Sequence, residues 1–182
     1  MKIKTCTFIG HRKIEINNNL IKKLEDVVED LILNENVKVF LFGSRSQFND
    51  LCHKIVCQAK EKYPNIKRIA YTCRSEGCVL ESDTNFWNKW IDYLDQQQFM
   101  YTVDEEYEHK RKYTSGRGAY VERNYAMIDD SDFCVFYYND EYTPNLDTKQ
   151  KNNSTASKSG TKLAYNYAKQ KSKRIFNIFE KK

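Results

Sequence analysis

Several familiar motifs are missing from this chain, and each absence removes a class of function. It has six cysteines and no C-x-x-C pair. The four-residue gaps of Cys52/Cys57 and Cys73/Cys78 match metal-ligand spacing poorly, so no metal is expected. Neither GxxxxGK[ST] nor GxGxxG occurs, which speaks against an ordinary Walker NTPase and against an NAD dehydrogenase; no cofactor is expected. No stretch approaches the ~20 apolar residues that span a bilayer, and the N-terminus lacks the pattern of a signal peptide. A cytoplasmic protein with reduced thiols and no membrane partner is therefore expected. Thirty basic residues stand against 25 acidic ones for a net charge of +5. They read as scattered rather than gathered into a stripe, so nucleic acid is not expected as the principal partner.

What is present is a globular pattern. The 182 residues include 13 Tyr and 10 Phe, enough to fill a core, and are read as one domain, 1–182. Strand-like runs at Lys4–Ile9, Val37–Phe42, Ile66–Tyr71, Asp132–Tyr137 and Arg174–Phe179 alternate with helical patterns at Asn18–Leu33, Phe48–Tyr63, Tyr120–Ile128 and Gly160–Gln170. Repeated strand–helix–strand units predict an α/β, Rossmann-like three-layer sandwich with a mainly parallel central sheet. Two variable segments, 72–116 and 139–158, fall outside the alternation. The first holds an aromatic piece (NFWNKWIDYL) and an acidic-then-basic run (DEEYEHKRKY). The second is polar and reads as a mobile loop, either a lid over a ligand or a tolerated surface insertion. His53 reads as a helix-surface histidine.

In an open parallel sheet, ligands bind beyond the carboxyl ends of the strands. The residues that follow the predicted strands are Gly10-His11-Arg12, Gly43-Ser44-Arg45, Thr72-Cys73-Arg74 and, after the long loop, Ser159-Gly160-Thr161. They are small, hydroxyl-bearing or cationic, which is what phosphate binding asks for. Glycine admits close backbone approach, a helix start offers oriented amides, and arginine adds a bidentate fork. Each alone has a plainer reading, a solvated turn or a helix cap; their recurrence at one edge is the signal. Glu122-Arg123 begins a helix near the same edge, as a surface ion pair or as an anion contact with Glu122 beside a ribose hydroxyl.

The series TFIGHR, VFLFGSRSQFNDLC, GAYVERNYAMIDDSDFCVFYY and SGTKLAYNYAKQKSKRIFNIF resembles the bacterial YpsA-like branch of the SLOG superfamily. That superfamily also holds the lonely-guy phosphoribohydrolases, the DNA-processing protein DprA and nucleotide-ligand sensor domains of bacterial defence systems. The resemblance implies a Rossmann-like fold that binds a nucleotide or nucleotide-derived molecule at the strand ends. The phosphoribohydrolase phrase ERKxxMxxxSD has its counterpart in Glu122-Arg123-Asn124, Met127 and Ser131-Asp132, with asparagine in place of lysine. Of PGGxGTxxE only Ser159-Gly160-Thr161 remains, and Ala164 stands at the catalytic glutamate.

Two functions follow. The first is sensing, carrying or sequestering a nucleotide-derived small molecule, with Gly10, His11, Arg12, Gly43, Ser44, Arg45, Arg123, Ser159, Gly160 and Thr161 at its site. The second is hydrolysis of a nucleotide N-glycosidic bond, with Glu122, Glu76 or Asp83 replacing the lost acid; binding is preferred because alanine cannot stabilise an oxocarbenium-like charge. Single-stranded DNA binding ranks last, on the modest net charge. Related folds commonly dimerise through helices, which leaves a homo-oligomer open.

Overall fold

Strands that are apolar on both faces require helices on both sides, and the chain folds accordingly. The computed structural model describes residues 2–43, 46–73, 78–82, 101–109, 117–142 and 159–181. In the first half β1 (Lys4–Gly10), α1 (Asn18–Leu33), β2 (Val37–Phe42), α2 (Gln47–Lys62) and β3 (Lys67–Thr72) follow one another. Then come three short strands, β4 (Cys78–Leu80), β5 (Tyr101–Val103) and β6 (Glu105–Glu108), and finally α3 (Arg117–Asp129), β7 (Phe133–Tyr137), α4 (Gly160–Gln170) and β8 (Arg174–Asn177).

Six strands form one all-parallel sheet in the order β6-β3-β2-β1-β7-β8, and β4 pairs with β5 in a separate parallel ribbon. The chain winds outward from β1 through β2 and β3 to β6, then returns to lay β7 on the other side of β1. The order therefore reverses between β1 and β7, and a crevice is expected at their carboxyl ends.

Alternate residues of each strand serve opposite layers. Cys6, Phe8, Phe40, Phe42, Phe133 and Val135 meet Leu24, Val28 and Leu31 of α1 and Phe48, Cys52 and Val56 of α2. On the other face Ile9, Cys134 and Phe136 meet Ile128 of α3 and Ala164 and Ala168 of α4, while Leu41 and Tyr71 meet Met127. Burying one such phenylalanine contributes about 2–3 kcal/mol. Side-chain caps set the helix starts: Asn17 accepts from Leu20 N–H, Ser46 from Asn49 N–H and Ser159 from Lys162 N–H. Asp132 ties β7 to β1, its carboxylate accepting from Thr5 N–H at 2.9 Å.

The middle of the chain departs from what was expected. Residues 85–94, the aromatic piece, lie outside the described residues. The acidic half of DEEYEHKRKY is β6, an edge strand with Glu105, Glu106, Tyr107 and Glu108 all exposed. The β4–β5 ribbon is held to the sheet by Arg68, which is buried and donates to Asp104 Oδ2 at 3.2 Å and to Glu81 Oε2 at 2.9 Å. β5 also covers α2, and His53 is consequently buried rather than on the helix surface. Its Nε2–H donates to Thr102 C=O at 2.9 Å and Nδ1 lies 3.7 Å from Cys57 Sγ. Among the described residues no cluster suits a metal ion, and no helix is long and apolar enough to cross a membrane.

Candidate functional site

The carboxyl edge is built from strand ends whose glycines serve three different purposes. A Cβ on Gly10 would overlap the ring of Phe48, a fully buried residue in the first turn of α2. The space left by the missing side chain is thus filled by packing. At Gly43 a Cβ would stand 2.7 Å from Met127 Sδ, 2.9 Å from Tyr71 C=O and 3.0 Å from Arg123 Cδ. This glycine lets α3 lie against the ends of β2 and β3. Among the described residues nothing lies within 4 Å of a Cβ on Gly160, at the start of α4. Ser159, the cap of that helix, is already engaged by Lys162 N–H, and Thr161 is buried.

Arg123 is the largest fully buried side chain, 2% exposed. Its Nη1 reaches Cys73 Sγ at 3.7 Å, its Nη2 reaches Asn124 Oδ1 at 3.4 Å, and its guanidinium lies 5.3 Å from the Tyr120 ring centroid. The arginine picked out in the sequence is therefore at the ligand edge, set into the protein between β2 and β3. Glu122 is half-buried beside it. Arg12 is exposed, and its carbonyl accepts from Gln47 N–H at 3.0 Å, which pins the β1–α1 connection to the start of α2. Ser44, Arg45, Arg74, Glu76, Asp83 and Lys158 lie outside the described residues, as does the 139–158 loop beyond Tyr142.

His11 stands at the point where the strand order reverses. It is 2% exposed, and its own N–H donates to Tyr137 C=O of β7 at 3.4 Å. Asn139 N–H donates to Nε2 at 2.9 Å, closer than the 3.2 Å separating Nε2 from Asn139 C=O. An amide N–H can only donate, so Nε2 carries the lone pair and the proton of the neutral ring sits on Nδ1. Nδ1 is buried and has no hydrogen-bond partner among the described residues. Burial pushes the imidazole down to about 4, although the nearby Asn139 carbonyl opposes the shift, so at pH 7 the ring is neutral. His11 therefore offers a donor and a flat face, and no positive charge. Tyr142 covers that face, with ring centroids 3.9 Å apart and planes inclined by 17°.

The structure brings His11 together with Asn139 and Tyr142 at β1 and β7, and Arg123 with Gly43 and Cys73 at the neighbouring strand ends. Tyr142, Tyr120 and Asn139 were not singled out as site residues by sequence, and Cys73 was named only as part of the run after the third strand. Tyr142 was hidden in a stretch judged only by its polarity. Ala164, at the position of the family's glutamate, is a core methyl packed with Ile9 and Phe136, and no carboxylate is available there.

Charge is also less even than a whole-chain count suggests. Between Asp147 and Glu180 the sequence has eight basic residues and no acidic one. Three of the eight are used toward the amino edge. Lys171 pairs with Asp129, Arg174 with Glu35, and Lys173 donates to the carbonyls of Asp129 and Ser131. Lys162 and Lys169 are carried by α4.

No family model matches the chain, and no curated protein matches it significantly. Among solved structures it is similar to DNA processing protein A from Helicobacter pylori, with a TM-score of 0.50 and 17% identity over 96% of this chain and 64% of that one. That protein is described for a single-stranded DNA binding mode. The finding corrects the expectation that nucleic acid is not a partner: a net charge of +5 averaged over the chain was insufficient ground to set it aside. The chain spans 64% of the neighbour's length, and what the two share at this identity is the Rossmann-like α/β fold.

Proposed function

We propose that the carboxyl edge of the sheet binds a nucleotide or nucleotide-derived molecule, and that residues 1–182 act as one sensing, carrying or sequestering domain of the YpsA-like kind. The observation that carries this reading is the pair of buried polar side chains, His11 and Arg123, at the ends of adjacent strands. Polar groups are costly to bury, and a protein retains them at a strand-end crevice where they meet a ligand; the His11 Nδ1 has no hydrogen-bond partner among the described residues. Arg123, with Arg12 and Arg45, contacts the anionic groups; Gly43-Ser44 and Ser159-Gly160-Thr161 lend small residues and a helix start to the phosphate. Gly10 serves by admitting Phe48, which sets the position of His11. Binding without turnover is favoured over N-glycosidic hydrolysis because position 164 holds a packed alanine.

The likeness to DNA processing protein A favours a second reading, in which the nucleotide unit belongs to single-stranded DNA. The other five basic residues of the acid-free segment, Lys149, Lys151, Lys158, Lys162 and Lys169, support it, since basic side chains provide sequence-independent affinity for a nucleic-acid backbone. One titration series separates the readings. Free nucleoside monophosphates, NAD and cyclic dinucleotides should raise the melting temperature if the first holds, and chromatography should find no released base. Tight binding of a thymidine oligonucleotide that weakens steeply with salt, without any response to mononucleotides, would instead establish the second. If neither ligand class binds, the proposed site has no support.

A further inference from the structure

Tyr142 is half-buried and sits on a turn of its own, closed by Tyr142 N–H on Asn139 C=O at 3.2 Å and by Glu141 N–H on Asn139 Oδ1 at 3.0 Å. That turn leads directly from the end of β7, so the phenol ring is delivered to the crevice where the strand order reverses. Its stacking on His11 satisfies the face of the imidazole and nothing else. A ring lying 3.9 Å above another places its atoms out of the plane in which Nδ1–H points. The phenol therefore cannot accept from Nδ1, and no other described group does. The strand crossing thus holds a flat neutral platform covered by a stacked aromatic ring, with a buried donor in the plane of the imidazole.

We propose that Tyr142 stands in for the base of a nucleotide, and that a ligand displaces it, stacking its heteroaromatic ring on His11 while a sugar or phosphate oxygen of the same ligand accepts from Nδ1–H. This rests on the nucleotide reading above and adds which part of the ligand His11 recognises. The chemistry calls for both parts in one molecule. A free base fills the face and leaves the donor unmet; a sugar phosphate meets the donor and leaves the face to the tyrosine. A neutral imidazole also gives an isolated phosphate little reason to prefer this position over the arginines. Base–aromatic stacking is sequence-tolerant, since every base has a π-face, so His11 selects for nucleotides as a class.

The test compares wild type with Tyr142→Ala and His11→Phe, using AMP, GMP, ribose 5-phosphate and free adenine in calorimetric titrations, with melting curves to confirm folding. Removing the resident ring should tighten AMP and GMP by about 3- to 10-fold, because the competent state no longer has to be opened. Ribose 5-phosphate should not change. His11→Phe keeps a stacking face and loses the donor, and should weaken AMP by about 10-fold while leaving adenine unaffected. Should Tyr142→Ala melt early, Tyr142→Leu fills the space without a flat ring and carries the same expectation. Unchanged or weaker AMP binding to a folded Tyr142 variant would overturn the stand-in role while leaving the nucleotide reading intact. If neither wild type nor the Tyr142 variants bind any of the four probes, the nucleotide reading fails and this inference falls with it.

Discussion

Two histidines in this protein are buried and held neutral by the same cause, yet their surroundings differ in kind. His53, on α2 under the β4–β5 ribbon, has Nε2 bonded to the Thr102 carbonyl and the Cys57 sulfur close to both nitrogens, 3.6 Å from Nε2 and 3.7 Å from Nδ1. Rings of Phe42 and Tyr101 enclose it. His11, at the junction of β1 and β7, has one nitrogen bonded and the other unmet, with Tyr142 stacked on its face and the rings of Tyr137 and Tyr138 farther off. Burial lowers both imidazoles to about 4. A shifted pKa therefore does not distinguish the two histidines; the unmet donor does.

The largest expected effect concerns what the two share. Each histidine takes up a proton more readily when unfolded, near pH 6.5, than when folded, near 4. The unfolded state binds more protons in that window, so stability falls as the pH is lowered from 6.5 towards 4 and is fully present above it. The ceiling is about 3 kcal/mol for each residue, readable from urea melts at stepped pH. If stability is flat between pH 7 and 4, neither ring is buried as described.

The next predictions separate the two sites. Replacing His53 by alanine should cost about 2–3 kcal/mol, through the cavity and the abandoned Thr102 carbonyl, with nucleotide affinity unchanged. His11→Ala should cost less stability, about 1 kcal/mol, because it also removes an unmet donor, and should lower AMP affinity. Equal losses of stability with no change in affinity would erase the distinction. Beside His11, Gly10→Ala should cost about 1–3 kcal/mol by forcing the Phe48 ring aside, whereas Gly160→Ala, where no described residue crowds a Cβ, should change stability by less than about 1 kcal/mol. If the backbone at Gly160 cradles phosphate, that variant should still weaken AMP, and an unaffected titration would leave Gly160 as a helix start alone.

The same contrast shows what could be read from the letters. The spans of α1, β2 and α4 were legible to the residue, since Leu20, Leu24 and Leu31 mark one helical face and Val37–Phe42 has an apolar majority. The strands β4 to β6 were not. They are three or four residues long, and β6 is mostly glutamate, held in the sheet by backbone pairing with β3 rather than by an apolar pattern. His53 was misjudged for a related reason: what buries it is β5, which is distant in sequence. At the site, strand-end glycines and arginines stood out as letters, but Gly10 turned out to make room for Phe48, a contact between elements that no local pattern encodes. The acid-free run before Glu180 was visible throughout and was lost only by averaging charge over the whole chain.

The central claim, that His11 keeps an unmet Nδ1–H donor at the strand crossing, can be measured without knowing the ligand. With only three histidines in the chain, long-range nitrogen–proton correlation spectra at pH 7 can assign the tautomer of each. His11 should be neutral with its proton on Nδ1 and His53 neutral with its proton on Nε2, and AMP should shift the signals of His11 alone. A His11 that is charged at pH 7, or protonated on Nε2 and so donating to the Asn139 carbonyl, would contradict the claim.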